Sequence, residues 1–321
     1  MFFIVEFTIR KKCYFPQAGG GWRIFMDYYG AIEAGGTKFV CSVASDPDHY
    51  YEEVRFPTTD PKETIGRTIE FFKEQQKKYA LKSIGVASFG PIDLNPDSPK
   101  YGYITSTPKP GWKDTDLIGP LEKELGLPCA FDTDVNGAAL AEYRWGNPDN
   151  VKSLVYYTIG TGVGGGVVIN GLPVHGLLHP EAGHVLIRRD PAKDPFPGRC
   201  PFHGDCLEGL CCGPAIKDRF GVTADQLGED HPFWDVFANY LAQTCMAQIL
   251  MLSPEKIVLG GGVMHQMHLF PKIRQETLRL LNGYVQADGL LKNIDNYITP
   301  PVLGDRAGAC GAVALAQSAA A

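Results

Sequence analysis

Ligands of the kind that zinc prefers are concentrated in the stretch CPFHGDCLEG, residues 200–209. Cys200, His203 and Cys206 recur there at every third position, and His184 in the earlier motif EAGH offers a fourth ligand. Thiolate and imidazole groups fill the tetrahedral shell of structural zinc sites. We therefore predict a structural Zn²⁺ site, which would hold a loop that has little core of its own. A Cys200–Cys206 disulfide is the alternative, although a reducing compartment disfavours it and it leaves His203 unexplained.

Two glutamates flank these ligands. Glu181 lies three residues before His184, and Glu208 lies two residues after Cys206. A metal-stiffened loop would hold both carboxylates as preorganised acceptors for the hydroxyl groups of a sugar. The alternative is that they are solvated surface charges, which is the usual state of a lone glutamate.

A pair of aspartates lies in the sequence FDTDVNGAA, residues 131–139. If this segment is extended, Asp132 and Asp134 point to opposite faces, because they are two positions apart. One can then face a cleft while the other caps the following helix. A carboxylate in a cleft could accept the proton of a hydroxyl group during phosphoryl transfer. The alternative is that both aspartates are capping residues.

Three glycine-rich runs could bring backbone N–H groups close to phosphate oxygens, because a residue without Cβ allows a close approach. They are AGGTK at 34–38, GTGVGG at 160–165 and GGGV at 260–263. GTGVGG has the spacing of a dinucleotide fingerprint, but the strand-like VVING comes after it where that fingerprint requires a helix. No P-loop string occurs. Two such turns, one opening each half of the chain, predict a nucleotide between two lobes. Hairpins without a ligand, and a plain strand end for GGGV, are the alternatives.

The elements that must position these motifs follow a pattern that occurs twice. Residues 28–45 read strand, glycine turn, strand, and residues 153–171 repeat that order, with Asn170-Gly171 as a hairpin signal. We predict a duplicated fold with an N-terminal lobe over 28–145 and a C-terminal lobe over 146–321, the last helix being a candidate to pack back on the first lobe. Further strands are predicted over residues 83–90, 129–135 and 256–263, and helices over residues 62–79, 116–125, 136–146, 232–251, 269–281 and 306–317.

The composition narrows the classes of partner. A chain of 321 residues with 44% hydrophobic residues can bury two cores of ordinary size. A net charge of -6 disfavours an electrostatic grip on nucleic acid, and no apolar run is long enough for a membrane span. Nine cysteines, an odd number scattered over the chain, do not resemble a disulfide framework. We expect a cytoplasmic protein with small-molecule partners.

The first residues fit poorly with the rest of the chain. Residues 1–27 contain the flexible run AGGGW, and Met26 lies directly before the first strand pattern. The opening MFFIVEFTIRKKC places apolar residues before basic ones, which is the reverse of a secretory signal. We interpret residues 1–27 as an extension outside the fold, with a start placed too far upstream as the hypothesis.

Taken together, the motifs resemble those of the ROK sugar kinases. EAGGTK, SFGP, DTDVNGAA, IGTGVGGG, EAGH, CPFHGDCLEG and LGGGV occur in the order and at roughly the separations typical of that family. The resemblance extends from Tyr28 to the C-terminus and is strongest to the bacterial fructokinase branch. It implies an α/β fold of the actin-like (ribonuclease H-like) type, duplicated and two-lobed, with a cleft between the lobes. It also implies phosphate transfer from ATP and Mg²⁺ to a hexose.

The resemblance also implies roles for individual residues. Asp134 would be the general base. Glu181, Glu208, Thr133 and His184 would bind the sugar, and His184, Cys200, His203 and Cys206 would hold Zn²⁺. The nucleotide would lie against Gly35, Gly36, Thr37 and Lys38 in the first turn, Thr161 and Gly162 in the second, and Gly261 and Gly262 in the third glycine run.

Three departures from the broad family pattern bear on the substrate. Glu33 stands where many members have aspartate, Thr133 replaces an asparagine that often precedes the catalytic aspartate, and the metal loop has histidine with wider spacing in place of a three-cysteine form. These differences are similar to those of the fructokinase branch, so fructose is the expected acceptor. The alternatives are a mannokinase or glucokinase, or a non-catalytic sugar-sensing regulator. Family members are often homodimers, and we expect the same here.

Overall fold

The computed structural model describes residues 26–147 and 149–320, and within them two five-stranded sheets form the framework. The predicted extension over residues 1–27 lies outside the described residues, apart from Met26 and Asp27. The strands are β1 (Tyr28–Ala34), β2 (Lys38–Asp46), β3 (His49–Pro57), β4 (Leu81–Ser88), β5 (Tyr103–Ile104), β6 (Thr115–Asp116), β7 (Cys129–Thr133), β8 (Ser153–Ile159), β9 (Val163–Ile169), β10 (Leu172–Pro173), β11 (Lys256–Gly260) and β12 (Ile298–Thr299).

Helices connect and cover the strands. They are α1 (Pro61–Gln75), α2 (Ile118–Leu125), α3 (Asp134–Trp145), α4 (Leu207–Cys211), α5 (Gly213–Phe220), α6 (Phe233–Leu252), α7 (Leu269–Leu281), α8 (Asp288–Leu291), α9 (Ile294–Tyr297) and α10 (Ala307–Ala319), with short 3₁₀ turns at Ala182–His184, Gly262–His265 and Gly304–Arg306. None of the helices in the described ranges has the length and apolar character needed to cross a membrane.

The two large sheets have the same topology. Their strand orders are β3-β2-β1-β4-β7 and β10-β9-β8-β11-β12. In each, the opening strand lies in the centre, pairs antiparallel with its hairpin partner and pairs parallel with the next strand. The repetition of order and direction confirms the predicted duplication. The sheets lie on either side of the lobe boundary expected at residues 145–146, and that boundary stays a prediction.

Side-chain alternation along the strands explains how the layers stack. In β1, Ile32 and Ala34 face a core that includes Phe72 of α1 and Leu121 of α2, whereas Ala31 faces the opposite side. On that opposite side, a third cluster combines residues of both sheets with α3 and α10. Helix α3 packs on β8 and β9 as well as β4 and β7, so it is the element that joins the two sheets.

Helix α10 lies very close to its neighbours, because glycine and alanine line the contact. A Cβ at Gly85 of β4 would overlap the carbonyl oxygen of Ala312, and one at Gly311 would overlap the backbone of Gly137 in α3. Backbones can approach this closely only where no side chain intervenes. The packing of α10 on the first sheet and on α3 therefore depends on these small residues.

Most predicted elements occur, with differences that have local causes. Helix α7 occupies the predicted residues 269–281, and α6 is displaced by one residue from the prediction. Helix α2 begins at Ile118 and not at Asp116, because Thr115–Asp116 pairs with β5. Strand β3 was not predicted, since an edge strand with half-exposed charged residues lacks a clear apolar alternation.

The close contact at Gly85 predicts a stability effect. Replacing Gly85 by Ala should lower the free energy of unfolding by about 1–3 kcal/mol, because the new methyl group forces α10 away from β4. Urea denaturation followed by circular dichroism measures this change. Gly66→Ala in α1 is the matched control: its Cβ meets no atom within 4 Å, so we expect a gain of about 0.5–1 kcal/mol from the better helix propensity. Equal stability of Gly85→Ala and the wild type would contradict the packing argument.

Candidate active site

A cavity of about 830 Å³ lies at the carboxyl ends of β4, β7 and β8. Ligands of α/β proteins commonly bind at such an edge. Its walls include the segment after β4, the start of α3, the β8–β9 turn and the loops that carry the metal-ligand motifs. The predicted site residues that line it are Thr133, Asp134, Thr161, Gly162, Glu181, His184, His203 and Glu208.

Asp134 is the first residue of α3 and lines the cavity. The expectation that an aspartate caps this helix is wrong: the cap is Thr133, whose hydroxyl accepts a hydrogen bond from the Asn136 N–H at 3.1 Å. Asp134 itself is helical and not extended, and its Oδ1 accepts from the Val135 N–H at 2.8 Å. The side chain is exposed to solvent within the cavity, and partial desolvation by the cavity walls raises the pKa of Asp134 to about 6, with the charge of Glu33 adding to the rise.

Asp132 stabilises the junction between β7 and α3 through hydrogen bonds. Its Oδ1 accepts from the Thr133 N–H at 2.7 Å and from the Asn136 amide at 2.8 Å. Its Oδ2 lies 2.8 Å from Nε2 of His175, and this hydrogen bond raises the pKa of the imidazole. The sequence reasoning missed His175. The available signal was that three histidines fall within ten residues of one another, at 175, 179 and 184.

The first glycine turn lies beside this junction and not in the wall of the cavity. Gly35 donates its N–H to the Lys38 carbonyl at 3.0 Å, and the Thr58 hydroxyl donates to the Gly35 carbonyl at 2.6 Å. Gly35, Gly36, Thr37 and Lys38 are not among the residues that line the 830 Å³ cavity. Glu33 connects the two regions, because its charge acts on Asp134 while Lys38 partly offsets the rise that burial causes in the pKa of Glu33.

The second glycine turn is held by Glu208. Oε2 of Glu208 accepts the N–H of Val163 at 3.0 Å, and a Cβ at Gly162 would lie 2.6 Å from the same oxygen. A side chain at position 162 would therefore displace the Glu208 carboxylate from its present contact with the turn. The third run lies directly behind: Gly261 has φ 89°, and a Cβ there would lie 2.5 Å from the Ile159 nitrogen. Gly261 and Gly262 support the turn without lining the cavity.

The four predicted metal ligands come together. The ligand atoms of His184, Cys200, His203 and Cys206 all lie within 4.8 Å of one another. Nδ1 of His184 is 3.6 Å from the sulfur of Cys200 and 3.6 Å from that of Cys206, and Nδ1 of His203 is 3.6 Å from Cys200 Sγ. Bonds of about 2.3 Å to sulfur and about 2.0–2.1 Å to nitrogen at tetrahedral angles give a separation of about 3.6 Å. The donor set and its spacing fit one tetrahedral ion.

Charged side chains support the loop that presents these ligands. Arg219 and Asp194 form a buried salt bridge at 2.9 Å, and Tyr240 donates to the same carboxylate at 3.0 Å. Arg189 reaches Asp205 at 3.1 Å. All eight cysteines in the described ranges are free thiols, so no disulfide joins Cys200 to Cys206. The loop is held by ion pairs and by its ligand cluster.

Glu181 completes a group of three carboxylates around the cavity. It lies at the start of the 3₁₀ turn Ala182–His184. Burial raises its pKa to about 7, and the charges of Glu208 and Asp134 contribute to the rise. Such a group of acceptors suits a ligand with several hydroxyl donors. Nearby His179 is buried, and the sequence reasoning missed it as well.

The duplicated sheets with a cavity at their strand ends define an actin-like sugar kinase fold. The crystal structure of a ROK hexokinase from Thermus thermophilus superposes with a TM-score of 0.74 at 25% identity, covering 91% of this chain and 98% of that chain. The chain belongs to the ROK family, whose model matches residues 29–319. Both findings confirm the predicted fold class and family.

Individual relatives are similar over nearly their whole length. A fructokinase from Zymomonas mobilis is 45% identical over 295 residues, covering 91% of this chain and 97% of that protein. A fructokinase from Streptococcus mutans is 44% identical over 296 residues, covering 91% of this chain and 98% of that protein. The chain therefore lies close to proteins that carry this activity in their names.

Proposed function

We propose that the chain is an ATP-dependent fructokinase, a phosphotransferase that converts D-fructose and ATP to D-fructose 6-phosphate and ADP. The similarity to fructokinases at 44–45% identity over most of the chain supports this activity. The observation that carries the proposal is that Asp134 and Glu181 share one cavity with the glycine turn around Gly162. An acid–base group, an acceptor for hydroxyls and a phosphate-type turn are the parts that sugar phosphorylation needs.

Asp134 acts as the general base. Its carboxylate accepts the proton of the acceptor hydroxyl while that oxygen bonds to the γ-phosphorus and the bond to the β–γ bridging oxygen breaks. ADP leaves with that oxygen, and the Asp134 carboxyl group returns its proton to water. The position at the start of α3 suits the role, because the N-terminal end of a helix favours the ionised form of the base.

Glycine turns from both halves of the chain hold the nucleotide. The first turn contributes Gly35, Gly36, Thr37 and Lys38, the second contributes Thr161 and Gly162, and Gly261 and Gly262 lie against the second turn. ATP enters with Mg²⁺, which supplies charge neutralisation on the phosphate oxygens. We place the first group on one lobe, residues 28–145, and the others on the second, residues 146–321, so that closure would bring them together.

The sugar lies against Glu181, Glu208, Thr133 and His184. His184 combines this role with metal binding, because its Nδ1 faces the two sulfurs. A neutral imidazole bound through Nδ1 carries its proton on Nε2, which is then a donor for a sugar hydroxyl.

The ion of choice for His184, Cys200, His203 and Cys206 is Zn²⁺ in a structural role, since protein ligands fill every position. Thiolate ligands suit the cytoplasmic location expected from the sequence. The homodimer expected from the family stays a prediction.

A coupled ADP assay across hexoses tests the function. The wild type should prefer fructose over mannose, glucose and N-acetylated sugars, and Asp134→Asn should bind fructose while losing turnover by about 10²-fold or more. A preference for mannose or glucose would indicate a mannokinase or glucokinase of the same family. Sugar binding without turnover in the wild type would indicate a non-catalytic sugar-sensing regulator. Near-normal turnover of Asp134→Asn would refute the assignment of Asp134 as the general base.

The raised pKa of Asp134 predicts an acidic limb in the pH profile. A carboxyl group with a pKa of about 6 is protonated below that pH, so kcat should fall about tenfold per unit as the pH drops below 6. Glu33→Gln removes a negative charge that raises this pKa, and the limb should move to lower pH. Glu74→Gln, which alters a surface carboxylate of α1 paired with Lys77, is the control and should leave the limb in place. An unshifted limb in Glu33→Gln would refute the coupling.

The ligand cluster predicts a metal-dependent loop. Cys206→Ser should lower the zinc content measured by elemental analysis from about one ion per chain, and the KM for the sugar should rise because the loop loosens. Cys129→Ser replaces a half-buried thiol outside the cluster and serves as the control. Retention of a full complement of zinc by Cys206→Ser would exclude the assigned ligand set.

A further inference from the structure

His179 ties together two walls of the cavity that come from different halves of the chain. Its side chain is only 2% exposed, and its Nε2 accepts a hydrogen bond from the Ile92 N–H at 3.2 Å. Ile92 directly follows Gly90 and Pro91, which line the cavity. On the other side of the ring, Nδ1 lies 3.5 Å from Oε1 of Glu181. The imidazole ring of His179 thus lies between the Gly90–Pro91 segment, which belongs to the first half of the chain, and the Glu181 carboxylate.

The hydrogen bond from Ile92 determines the tautomer of this ring. An Nε2 that accepts a hydrogen bond carries no proton, so the neutral imidazole is protonated on Nδ1. Burial lowers the pKa of His179; a hydrogen-bonding contact with the Pro180 backbone carbonyl and the charge of Asp132 partly offset the fall, and the neighbouring His175 adds to it. The ring therefore presents a neutral Nδ1–H on the side of Glu181.

The Nδ1 atom is buried and makes no hydrogen bond of normal geometry among the described residues, and the weak contact with the Pro180 carbonyl leaves it without a well-aligned acceptor. A buried donor without an acceptor is unfavourable, and such groups in native proteins call for a reason. Because Nδ1 is buried, a bound sugar cannot reach it. The Glu181 carboxylate can, because the present 3.5 Å needs to shorten only to the usual length of about 2.9 Å.

We propose that His179 is a positioning residue for the sugar site: its Nδ1–H fixes the orientation of the Glu181 carboxylate and couples it to the Gly90–Pro91 wall. This inference rests on the proposed function of Glu181 in sugar binding. A carboxylate held on one oxygen keeps its remaining lone pairs aimed into the cavity, which favours one arrangement of hydroxyl groups over another. His179 therefore contributes to affinity and to discrimination among hexoses, and contributes little to the transfer step.

Isosteric variants separate the two hydrogen bonds of the ring. His179→Asn keeps a donor near the Nδ1 position, His179→Gln keeps an acceptor near the Nε2 position, and His179→Ala keeps neither. We expect His179→Ala and His179→Gln to raise the KM for fructose by about tenfold, the scale of a lost hydrogen bond to a charged group, with a much smaller change in kcat. His179→Asn should restore most of the affinity. His49→Ala, which alters an exposed histidine on the β2–β3 hairpin, is the control.

A double-mutant cycle distinguishes positioning from a general loss of packing. In a Glu181→Gln background, His179→Ala should have little further effect on the KM, because the partner of the N–H is already altered. Additive effects of the two changes would overturn the proposal. Rescue by Gln in place of Asn would also overturn it, since the role would then be confined to the Ile92 contact. Thermal melting reports whether each variant is folded. If His179→Ala does not fold, the comparison of the KM values of His179→Asn and His179→Gln still tests the proposal.

Nitrogen-15 NMR of the histidine rings in the full-length wild type gives a readout independent of turnover. The Nδ1-protonated tautomer is expected for His179, with an Nδ1 signal that changes in Glu181→Gln. An Nε2-protonated ring, or an Nδ1 signal insensitive to Glu181→Gln, would overturn the positioning role. A wild type that phosphorylates no hexose would instead refute the proposed function, and the NMR result would still decide the contact between His179 and Glu181.

Discussion

The site depends on the close packing of α3 between the two sheets. Helix α3 contacts strands of both sheets, and α10 lies so near to it that Gly137 and Gly311 touch through their backbones. A Cβ at Gly311 would overlap the carbonyl carbon of Gly137, so this contact requires glycine and helps to fix the position of α3. Its first residue, Asp134, is therefore held at the edge where strands of both sheets end. In the proposed function, the general base therefore lies on a helix that contacts strands of both sheets.

The carboxylates of Asp134, Glu181 and Glu208 lie around one cavity. Bringing three negative charges together is electrostatically unfavourable, and this changes the pKa values of the groups. Partial desolvation raises the pKa of Asp134 to about 6 and that of Glu181 to about 7; the charge of Glu33 adds to the first rise, and the charges of Glu208 and Asp134 add to the second. Glu208, the third carboxylate, accepts a backbone N–H from the β8–β9 turn. A ligand with several hydroxyl donors offsets this repulsion, so these acceptors favour a polyol over an apolar compound.

How far the sequence could predict this arrangement depended on the kind of signal. Repeated strand–turn–strand patterns predicted the duplicated sheets, and the three-residue spacing of Cys200, His203 and Cys206 predicted the ligand cluster, because both are local patterns. The N-terminal residue of α3 was misplaced, since the pattern FDTDV does not reveal that Thr133 and not an aspartate caps the helix. His175 and His179 were missed because their partners, Asp132 and Ile92, are distant in sequence. Contacts of that kind depend on the tertiary structure alone.

The cluster of His184, Cys200, His203 and Cys206 and the β8–β9 turn are linked more directly than the separate sequence motifs suggest. Cys206 precedes α4, and its sulfur accepts the N–H of Gly209 at 3.4 Å, which fixes the first turn of that helix. Glu208 lies in the same turn and bonds to the N–H of Val163. A displacement of the ligand cluster would therefore move Glu208 and, through it, the β8–β9 turn. In the proposed function, loss of the ligand cluster would therefore disturb the nucleotide side of the cavity as well as the sugar side.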